Sequence, residues 1–210
     1  MAEDEPQAAS PVAHREGPAT AKRAQVQASV LAATEQLLAE GSSYADLNVE
    51  RIARAAGISR TAFYFYFADK RDLLMRLAGD ITEQLYREGD IFFSGEGDPE
   101  QEIREALTRV GELYREHGVM IRAIVEVSTY EEEIATFWRG LLDRFVDATQ
   151  QRLEALRPTG ARPFPSRATA FALTWMAERT FYQHMVQEQP VPDDELVEAM
   201  VGIYLGTIRG

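Results

Sequence analysis

The segment from Asn48 to Arg71 restricts the fold more than any other part of the chain. It reads as a short helix, a glycine turn, a second short helix crowded with aromatic residues, and the capped start of a third helix. Asn48, Ser59 and Asp69 are suitable N-cap residues, and Gly57 stands where a left-handed residue closes a helix. Two short helices joined in this way are typical of a helix-turn-helix that binds DNA.

Helical periodicity continues along the rest of the chain, and no segment alternates as a strand would. A first helix is expected from Lys22 to Glu40. Asp98, Pro99 and Gln101 have the pattern of a cap, a proline at the first helical position and a capping-box residue. The sequence predicts an all-α fold of about nine helices, those outside the helix-turn-helix lying at about 22–40, 69–88, 99–117, 130–157, 166–187 and 193–208, with a short apolar segment at 119–127.

The chain is predicted to have three regions. Residues 1–20 are rich in Ala, Pro, Glu and Gln, a composition typical of a disordered arm. Residues 21–68 hold the helix-turn-helix and form the expected DNA-binding domain. Residues 69–210 form the expected effector-binding and dimerisation domain, in which a Gly-rich loop at about 89–97 separates the fourth helix from the rest.

Composition fits a soluble globular protein of the cytoplasm. The chain is 45% hydrophobic and 27% charged, so it can bury a sizeable core. It has no cysteine, which excludes disulfides, thiolate chemistry and the usual zinc fingers. The N-terminus does not read as a signal peptide, and no apolar window is long enough to predict a membrane span.

The net charge of −12 opposes DNA binding by the chain as a whole, because phosphate contacts need Lys and Arg. Residues 22–75 nevertheless carry seven basic and six acidic residues, so the acidity lies mostly outside the helix-turn-helix. The only two lysines of the chain, Lys22 and Lys70, both fall in this segment. An acidic remainder would limit indiscriminate binding to nucleic acid.

The second helix of the motif is predicted to place its first turn in the major groove. Arg60 suits a bidentate contact with guanine, and Thr61 or Ala62 can pack on a thymine methyl group. Tyr64 and Tyr66 carry hydroxyls suited to phosphate contacts, which position a protein without reading sequence. The predicted DNA-binding residues are Lys22, Arg23, Asn48, Ser59, Arg60, Thr61, Ala62, Tyr64, Tyr66 and Lys70.

Part of the aromatic block has a simpler interpretation. Phe63 and Phe67 are four residues apart and are expected to anchor the second helix to the core of its own small domain. The alternative for the whole segment is a packed aromatic core beside a solvated run of charges.

The segment AAGISRTAFYFYFADKRDLL closely resembles the signature of the TetR family of transcriptional regulators. This match covers roughly residues 25–80, and the C-terminal part resembles the EthR-type branch of that family through TFWRGLLDRFVDATQ and the run MAERTF at Met176 to Phe181. The residues that carry the first resemblance are Ile52, Ala53, Ala56, Gly57, Ile58, Ser59, Phe63 to Phe67, Lys70 and Leu73.

The resemblance implies an all-helical homodimer in which the helices at 166–187 and 193–208 pair with their copies. It implies double-stranded operator DNA with two half-sites about 34–36 Å apart and one recognition helix in each major groove. It also implies repression that a small apolar effector relieves by changing the separation of those helices.

Helices between 99 and 187 carry more large apolar residues than two-helix packing needs, which predicts an effector pocket. Ile103, Val110 and Ala177 depart from the larger aromatics or the amide that the EthR-type branch favours. Glu178 could orient a ligand or pair with Arg179, and the alternative for the whole set is an ordinary hydrophobic core. The predicted ligand-binding residues are Ile103, Ala106, Leu107, Val110, Tyr114, Trp138, Leu142, Phe145, Thr149, Thr174, Ala177, Glu178, Phe181 and Tyr204.

No catalytic constellation stands out in the sequence. His14, His117 and His184 are isolated, and there is no HExxH or GxSxG motif. The acidic run Glu131–Glu133 falls at a helix start, where acids suit the helix dipole. We therefore expect neither a metal nor a cofactor, and an all-helical enzyme or an adaptor using the apolar cleft is the alternative to a regulator.

Overall fold

The computed structural model describes residues 18–157, 163–188 and 191–209 of the chain. Within those ranges the chain forms nine α-helices and no strand, which confirms the all-α prediction. Helix α8 continues into a π-helical turn over Tyr182–Val186. The helices are α1 (Pro18–Ala39), α2 (Val49–Ala55), α3 (Arg60–Tyr66), α4 (Lys70–Phe93), α5 (Pro99–Glu116), α6 (Gly118–Val127), α7 (Glu132–Leu156), α8 (Ser166–Phe181) and α9 (Asp193–Arg209).

The first helix is longer than the sequence predicts at its N-terminal end. It begins at Pro18 rather than at Lys22. The disordered arm predicted for 1–20 lies outside the described residues, except for its last three positions, which are helical. At the other end Gly41 has a φ of +94°, and the N–H of Ser42 donates to the carbonyl of Leu37 at 3.2 Å. This left-handed closing turn is the predicted end of α1.

The turn of the helix-turn-helix forms as its sequence predicts. Gly57 has a φ of +70° and donates to the carbonyl of Arg54 at 3.1 Å, while the N–H of Ile58 donates to the carbonyl of Ala53 at 2.9 Å. These two bonds close α2 as a Schellman motif, for which glycine is the favoured left-handed residue. The angle at which α3 leaves α2 is thereby set by local backbone chemistry.

The predicted N-caps are confirmed at the starts of α2, α3 and α4. The side chain of Asn48 accepts from the Arg51 N–H, that of Ser59 accepts from Ala62, and that of Asp69 accepts from Arg71 and Asp72. Each cap satisfies backbone donors that a helix end leaves without a partner. The sequence alone therefore identifies the residues that determine the three turns between α1 and α4.

Helix α4 continues past its predicted end at about Glu88. Gly89 was expected to open a loop but lies buried inside the helix, which ends at Phe93. The helix continues because Phe92 is buried in the core, so its apolar contacts outweigh the weak helix preference of Gly89. The predicted Gly-rich loop is thus reduced to residues 94–98.

The start of α5 differs in detail from its predicted cap. Pro99 takes the first helical position as expected, but the side chain of Asp98 makes no capping hydrogen bond. Instead Glu102 accepts from the N–H of Gly97 at 2.6 Å, which holds the loop against the helix. The apolar segment after His117 is a helix, α6, so α5 and α6 are consecutive helices that meet at that residue.

The helices form a small N-terminal unit and a larger bundle. Helices α1 to α3 surround Phe63 and Phe67, which are buried as predicted, with ring centroids 5.2 Å apart. In the bundle α4 packs on α5 and α7, α7 packs on α8, and α5 packs on α9. Helix α6 lies against both α1 and α4, so it connects the bundle to the N-terminal unit.

Candidate DNA-binding surface and ligand cavity

The first turn of α3 presents its polar side chains to solvent. Arg60 and Thr61 are exposed and Ala62 is partly exposed, while Phe63 on the opposite face is fully buried. Ser59 uses its hydroxyl oxygen to accept from Ala62 at 3.0 Å, which leaves its proton available for donation. These four residues are the ones predicted to approach base edges and the adjoining phosphate. They therefore lie together on one accessible face.

The rest of the aromatic block divides between the surface and the interior. Tyr64 is 47% exposed, and Tyr66 is half-buried. Phe65 is 70% exposed and was not among the predicted contacts. The guanidinium of Arg23 lies 5.6 Å from the Phe65 ring centroid and 5.9 Å from that of Tyr66. The start of α1 and the end of α3 thus form one surface.

The sequence pattern of the aromatic block could have predicted that Phe65 is exposed. Phe63 and Phe67 both face the core, so the residue midway between them on a short helix must point away from it. The exposed ring adjoins exposed Tyr64 and the guanidinium of Arg23, which are both predicted contact residues. Phe65 therefore joins the residues of this face as a candidate for contact with DNA.

Other predicted contacts lie around the same face. Lys22, Arg23 and Asn48 are exposed, and Asn48 uses only its amide oxygen in capping α2. Arg51, on the first turn of α2, is also exposed. These groups can supply the phosphate contacts that place a recognition helix in register.

In the structure Lys70 makes contacts other than the phosphate contact predicted for it, and that contact stays a prediction. Its ammonium donates to the carbonyls of Tyr44 at 2.8 Å, Ala45 at 3.1 Å and Leu47 at 2.8 Å. The hydroxyl of Tyr44 donates in return to the carbonyl of Lys70. Since all three ammonium protons are engaged, the side chain caps the turn between α1 and α2 rather than presenting a donor to a phosphate. Burial also lowers the pKa of Lys70, with Asp46 opposing that effect.

A narrow apolar cavity of about 80 Å³ lies inside the bundle, between α4, α5, α7, α8 and α9. All fourteen residues predicted to bind a ligand line it, from Ile103 on α5 to Tyr204 on α9. Their role in ligand binding stays a prediction. The complete lining is Thr82, Leu85, Gly89, Phe92, Phe93, Ile103, Ala106, Leu107, Val110, Tyr114, Trp138, Leu142, Phe145, Thr149, Thr174, Ala177, Glu178, Phe181 and Tyr204.

Five lining residues were missed, and all of them belong to α4: Thr82, Leu85, Gly89, Phe92 and Phe93. The sequence interpretation ended this helix at about 88 and assigned the two phenylalanines to a loop. The available signal was the spacing of three and four between positions 82, 85, 89 and 92, which continues one helical face.

Aromatic rings close much of the cavity wall. The ring of Phe92 meets that of Tyr204 edge-on at 5.9 Å, and Tyr114 lies 5.6 Å from Phe181. The ring of Phe93 covers Gly89, where it would lie 2.9 Å from an added Cβ atom. Because aromatic side chains turn about χ1 and χ2, such a wall can change shape when the cavity is filled.

Glu178 is the one charged side chain among the lining residues. It is 3% exposed, and neither of its carboxylate oxygens has a hydrogen-bond partner among the described residues. The nearest cation, the Nε of Arg179, lies 3.6 Å from Oε2. Burial raises the pKa of Glu178, and Arg179 partly counters this. The hydroxyl of Thr174, one turn earlier on α8, is also buried and without a partner.

A buried ion pair braces the bundle next to the cavity. Arg152 on α7 contacts Glu102 on α5 at 2.5 Å, and both side chains are almost fully buried. Its guanidinium also lies 5.8 Å from the centroid of Phe92, a lining residue. Removing either partner would leave an uncompensated buried charge.

The described residues carry no group of three or more side chains that could hold a metal ion. No described helix is both long and apolar enough to cross a membrane. The two constellations in the described part of the chain are therefore the face around α3 and the cavity in the bundle.

Two family models match the chain in these same two regions. One described as bacterial regulatory proteins of the tetR family matches residues 30–77, and the EthR C-terminal domain matches residues 103–210. The transcriptional regulator EthR of Mycolicibacterium smegmatis is 32% identical over 192 residues, covering 88% of this chain and 86% of that protein.

Solved structures agree in fold. A TetR-family regulator from Syntrophomonas wolfei superposes with a TM-score of 0.74 at 18% identity, covering 89% of this chain and 96% of that one. AibR, solved with isovaleryl coenzyme A and operator DNA, superposes with a TM-score of 0.62 at 18% identity, covering 85% and 97%. The relatives matched in sequence are regulators rather than enzymes, which sets the enzyme alternative aside. The chain belongs to the TetR family of transcriptional regulators and has an EthR-type C-terminal domain.

Proposed function

We propose that this protein is a homodimeric repressor that leaves its operator when a small apolar effector fills the bundle cavity. The observation that carries the proposal is the extent of α4. Its N-terminal end holds the turn between α1 and α2 through Lys70 and contacts Phe67, at the end of α3, through Arg76, and its last three turns line the cavity. A change in cavity shape therefore acts on the same rigid element that positions α3.

Two further contacts support this coupling. The carboxylate of Glu133, at the start of α7, pairs with Arg71 in the first turn of α4 at 3.2 Å. Glu35 of α1 lies 3.2 Å from the Nδ1 of His117, where α5 meets α6. The second contact joins the small unit to the bundle, and the first holds the N-terminal end of α4, which adjoins the helix-turn-helix, against α7. Movement in the bundle can therefore be transmitted to the small unit.

The outer faces of α8 and α9 supply a surface for dimerisation. Phe171 is 52% exposed beside Trp175, and Ile203 is 48% exposed between Gly202 and Gly206. A Cβ atom added at either glycine would meet nothing within 4 Å. Exposed apolar side chains among small residues favour close packing of a second helix pair, and two copies of this face would form an isologous interface.

The effector is proposed to be small and largely apolar because eighteen of the nineteen lining residues are uncharged and most are aliphatic or aromatic. The cavity is smaller than the sites of drug-sized ligands, which occupy about 300–1,000 Å³. Binding must therefore displace wall side chains, which is what a ligand-driven change of state needs. AibR, which has the same fold, was solved with isovaleryl coenzyme A and operator DNA, so a protein of this fold can bind both kinds of partner.

Fluorescence anisotropy with the DNA upstream of the protein's own gene tests the proposal. We expect saturable, salt-sensitive binding, and weaker binding of the operator in Arg60→Ala. Arg87→Ala, which removes an exposed arginine from α4, is the matched control and should bind normally. Equal binding of the operator fragment and of shuffled DNA, at every salt concentration, would contradict the proposal.

A further inference from the structure

The cavity combines an apolar wall with one buried acid. None of the nineteen lining residues is Lys, Arg or His, and Glu178 is buried among them with both carboxylate oxygens unpartnered. We propose that the effector is an apolar amine whose protonated nitrogen donates to the Glu178 carboxylate while its hydrocarbon or aromatic body fills the cavity. This inference rests on the proposed function of the cavity as the effector site.

Arg179 does not supply the missing partner. Its Nε is 3.6 Å from the carboxylate, beyond hydrogen-bond distance, and about half of its side chain is exposed. Its guanidinium also lies 5.1 Å from the Tyr182 ring centroid. Arg179 thus forms an ion pair with Glu178 but donates no hydrogen bond to it, so both carboxylate oxygens keep their capacity to accept one. A buried polar group without a partner is costly, and a ligand that satisfies it regains that cost as affinity.

Thr174 and Tyr114 add to the same polar part of the lining. Thr174 precedes Glu178 by four residues, so the two side chains share a face of α8, and its buried hydroxyl is also without a partner. Tyr114 reaches the region from α5; burial, followed by the Glu178 carboxylate, raises its pKa. An ammonium group has three donors, so it can bind the carboxylate and the threonine hydroxyl together.

The charge of the lining also argues against an acidic effector. A carboxylate ligand would be placed near Glu178 in an interior that screens charge poorly. The lining contains no basic residue, and the nearest cation, Arg179, is already paired with Glu178 at 3.6 Å. An alcohol could donate one hydrogen bond to the carboxylate but brings no opposite charge, so it lacks the Coulomb attraction that an ammonium group gains in an interior of low dielectric. The expected order of affinity is therefore amine, then alcohol, then carboxylate.

Isothermal titration calorimetry at pH 7 with three matched probes tests this order: 4-phenylbutylamine, 4-phenylbutanol and 4-phenylbutyrate. The probes share one body and differ only in the terminal group. We expect the amine to bind at least about tenfold more tightly than the alcohol and the carboxylate to bind most weakly, since a charge-assisted hydrogen bond contributes about that factor.

Glu178→Gln should lower the affinity for the amine by about tenfold or more and should change the affinity for the alcohol little. Glu116→Gln is the control, because Glu116 is exposed on α5 and outside the lining, so it should bind all three probes as the wild type does. If Glu178→Gln does not fold, Glu178→Asp keeps the charge but withdraws it by one methylene. That variant should weaken amine binding while still preferring the amine to the carboxylate.

The proposal is overturned if the carboxylate binds as tightly as the amine, if Glu178→Gln and Glu178→Asp bind the amine unchanged, or if none of the probes binds. These failures differ from failure of the proposed function, which operator binding without any probe tests by itself. If the amine binds but leaves operator affinity unchanged, the ligand class stands and the effector role is wrong.

Discussion

At the scale of single residues, the same side chains that mark the cavity also weaken the fold. Glu178 is an acid held in an apolar wall without a hydrogen-bond partner among the described residues, and Thr174 beside it is in the same condition. Neither arrangement favours the folded state, so both are more easily explained by a ligand than by stability. The sequence identified both positions but could not show that their hydrogen bonds were missing, because that depends on how the assembled helices place the neighbouring side chains.

Replacing Glu178 by leucine should stabilise the protein. The change removes an unsatisfied buried acid and keeps a side chain of similar volume, so we expect the free energy of unfolding to rise by about 1–3 kcal/mol at neutral pH. Chemical denaturation checks this, with Glu116→Leu as the exposed control. A lower denaturation midpoint for Glu178→Leu would contradict the cavity assignment of the carboxylate.

The stabilisation expected for Glu178→Leu should depend on pH, because the pKa of Glu178 is raised in the folded wild type. Because the folded pKa lies above the ordinary value of 4.5, the native state binds this proton more tightly than the unfolded state does. The contribution of this bound proton to the stability of the wild type is complete below pH 4.5 and is lost as the pH rises through the folded pKa. The advantage of Glu178→Leu over the wild type should therefore be small near pH 4.5 and larger at pH 8.

The two lysines of the chain should prove to have different roles. Lys70→Met removes three hydrogen bonds to the turn between α1 and α2, so we expect a loss of about 2–4 kcal/mol of stability at about 1 kcal/mol each. The salt dependence of DNA binding should be the same for Lys70→Met as for the wild type. Lys22→Met, at an exposed position, should leave stability unchanged but reduce the salt slope by about one phosphate contact. The reverse pattern would restore Lys70 as a phosphate contact.

At the scale of elements, local chemistry predicted the helix-turn-helix and missed the end of α4. The helix ends at Asn48, Ser59 and Gly57 can be predicted from the sequence, because caps and a left-handed turn depend only on neighbouring residues. Gly89 also looks like a helix end, but burial of Phe92 against other helices keeps the helix intact there. Tertiary packing decided that boundary, and a single sequence does not display packing partners.

Within α3, experiment should distinguish the phosphate contact of Tyr64 from the base contact of Arg60. Tyr64→Phe removes a hydroxyl suited to phosphate, so it should weaken binding to operator and random DNA alike. Arg60→Ala should also relax the preference at one base pair, costing about 1–3 kcal/mol on the operator alone. Competition binding against a library of single-base operator variants measures both. Equal losses on all sequences for Arg60→Ala would show that it does not read a base.

At the scale of the whole molecule, the account needs two copies of the chain. Residues 22–75 are almost neutral, so one copy has little electrostatic attraction for DNA. Two recognition helices held at a fixed separation gain affinity through effective concentration. The sequence predicted fourteen of the cavity residues from spacing and resemblance, yet the cavity wall on α4 became visible only when five helices were assembled.

The dimer surface can be tested by charge. Phe171→Glu combined with Ile203→Glu places acids on the exposed faces of α8 and α9, and we expect a folded monomer by analytical ultracentrifugation with at least tenfold weaker operator binding. Tyr130→Glu alters a residue that is 60% exposed between α6 and α7 and should leave the assembly intact. A double variant that stays dimeric would place the interface elsewhere.

Filling the cavity is proposed to change the separation of the two recognition helices. The natural absence of cysteine allows Thr61→Cys to carry one spin label per protomer on the exposed face of α3. Double electron–electron resonance then measures the distance between the two labels, with and without 4-phenylbutylamine at a concentration that calorimetry shows to be saturating. The account predicts a shift of about 2 Å or more, which Glu178→Gln should not show at the same concentration. Superimposable distance distributions with the cavity filled would contradict it.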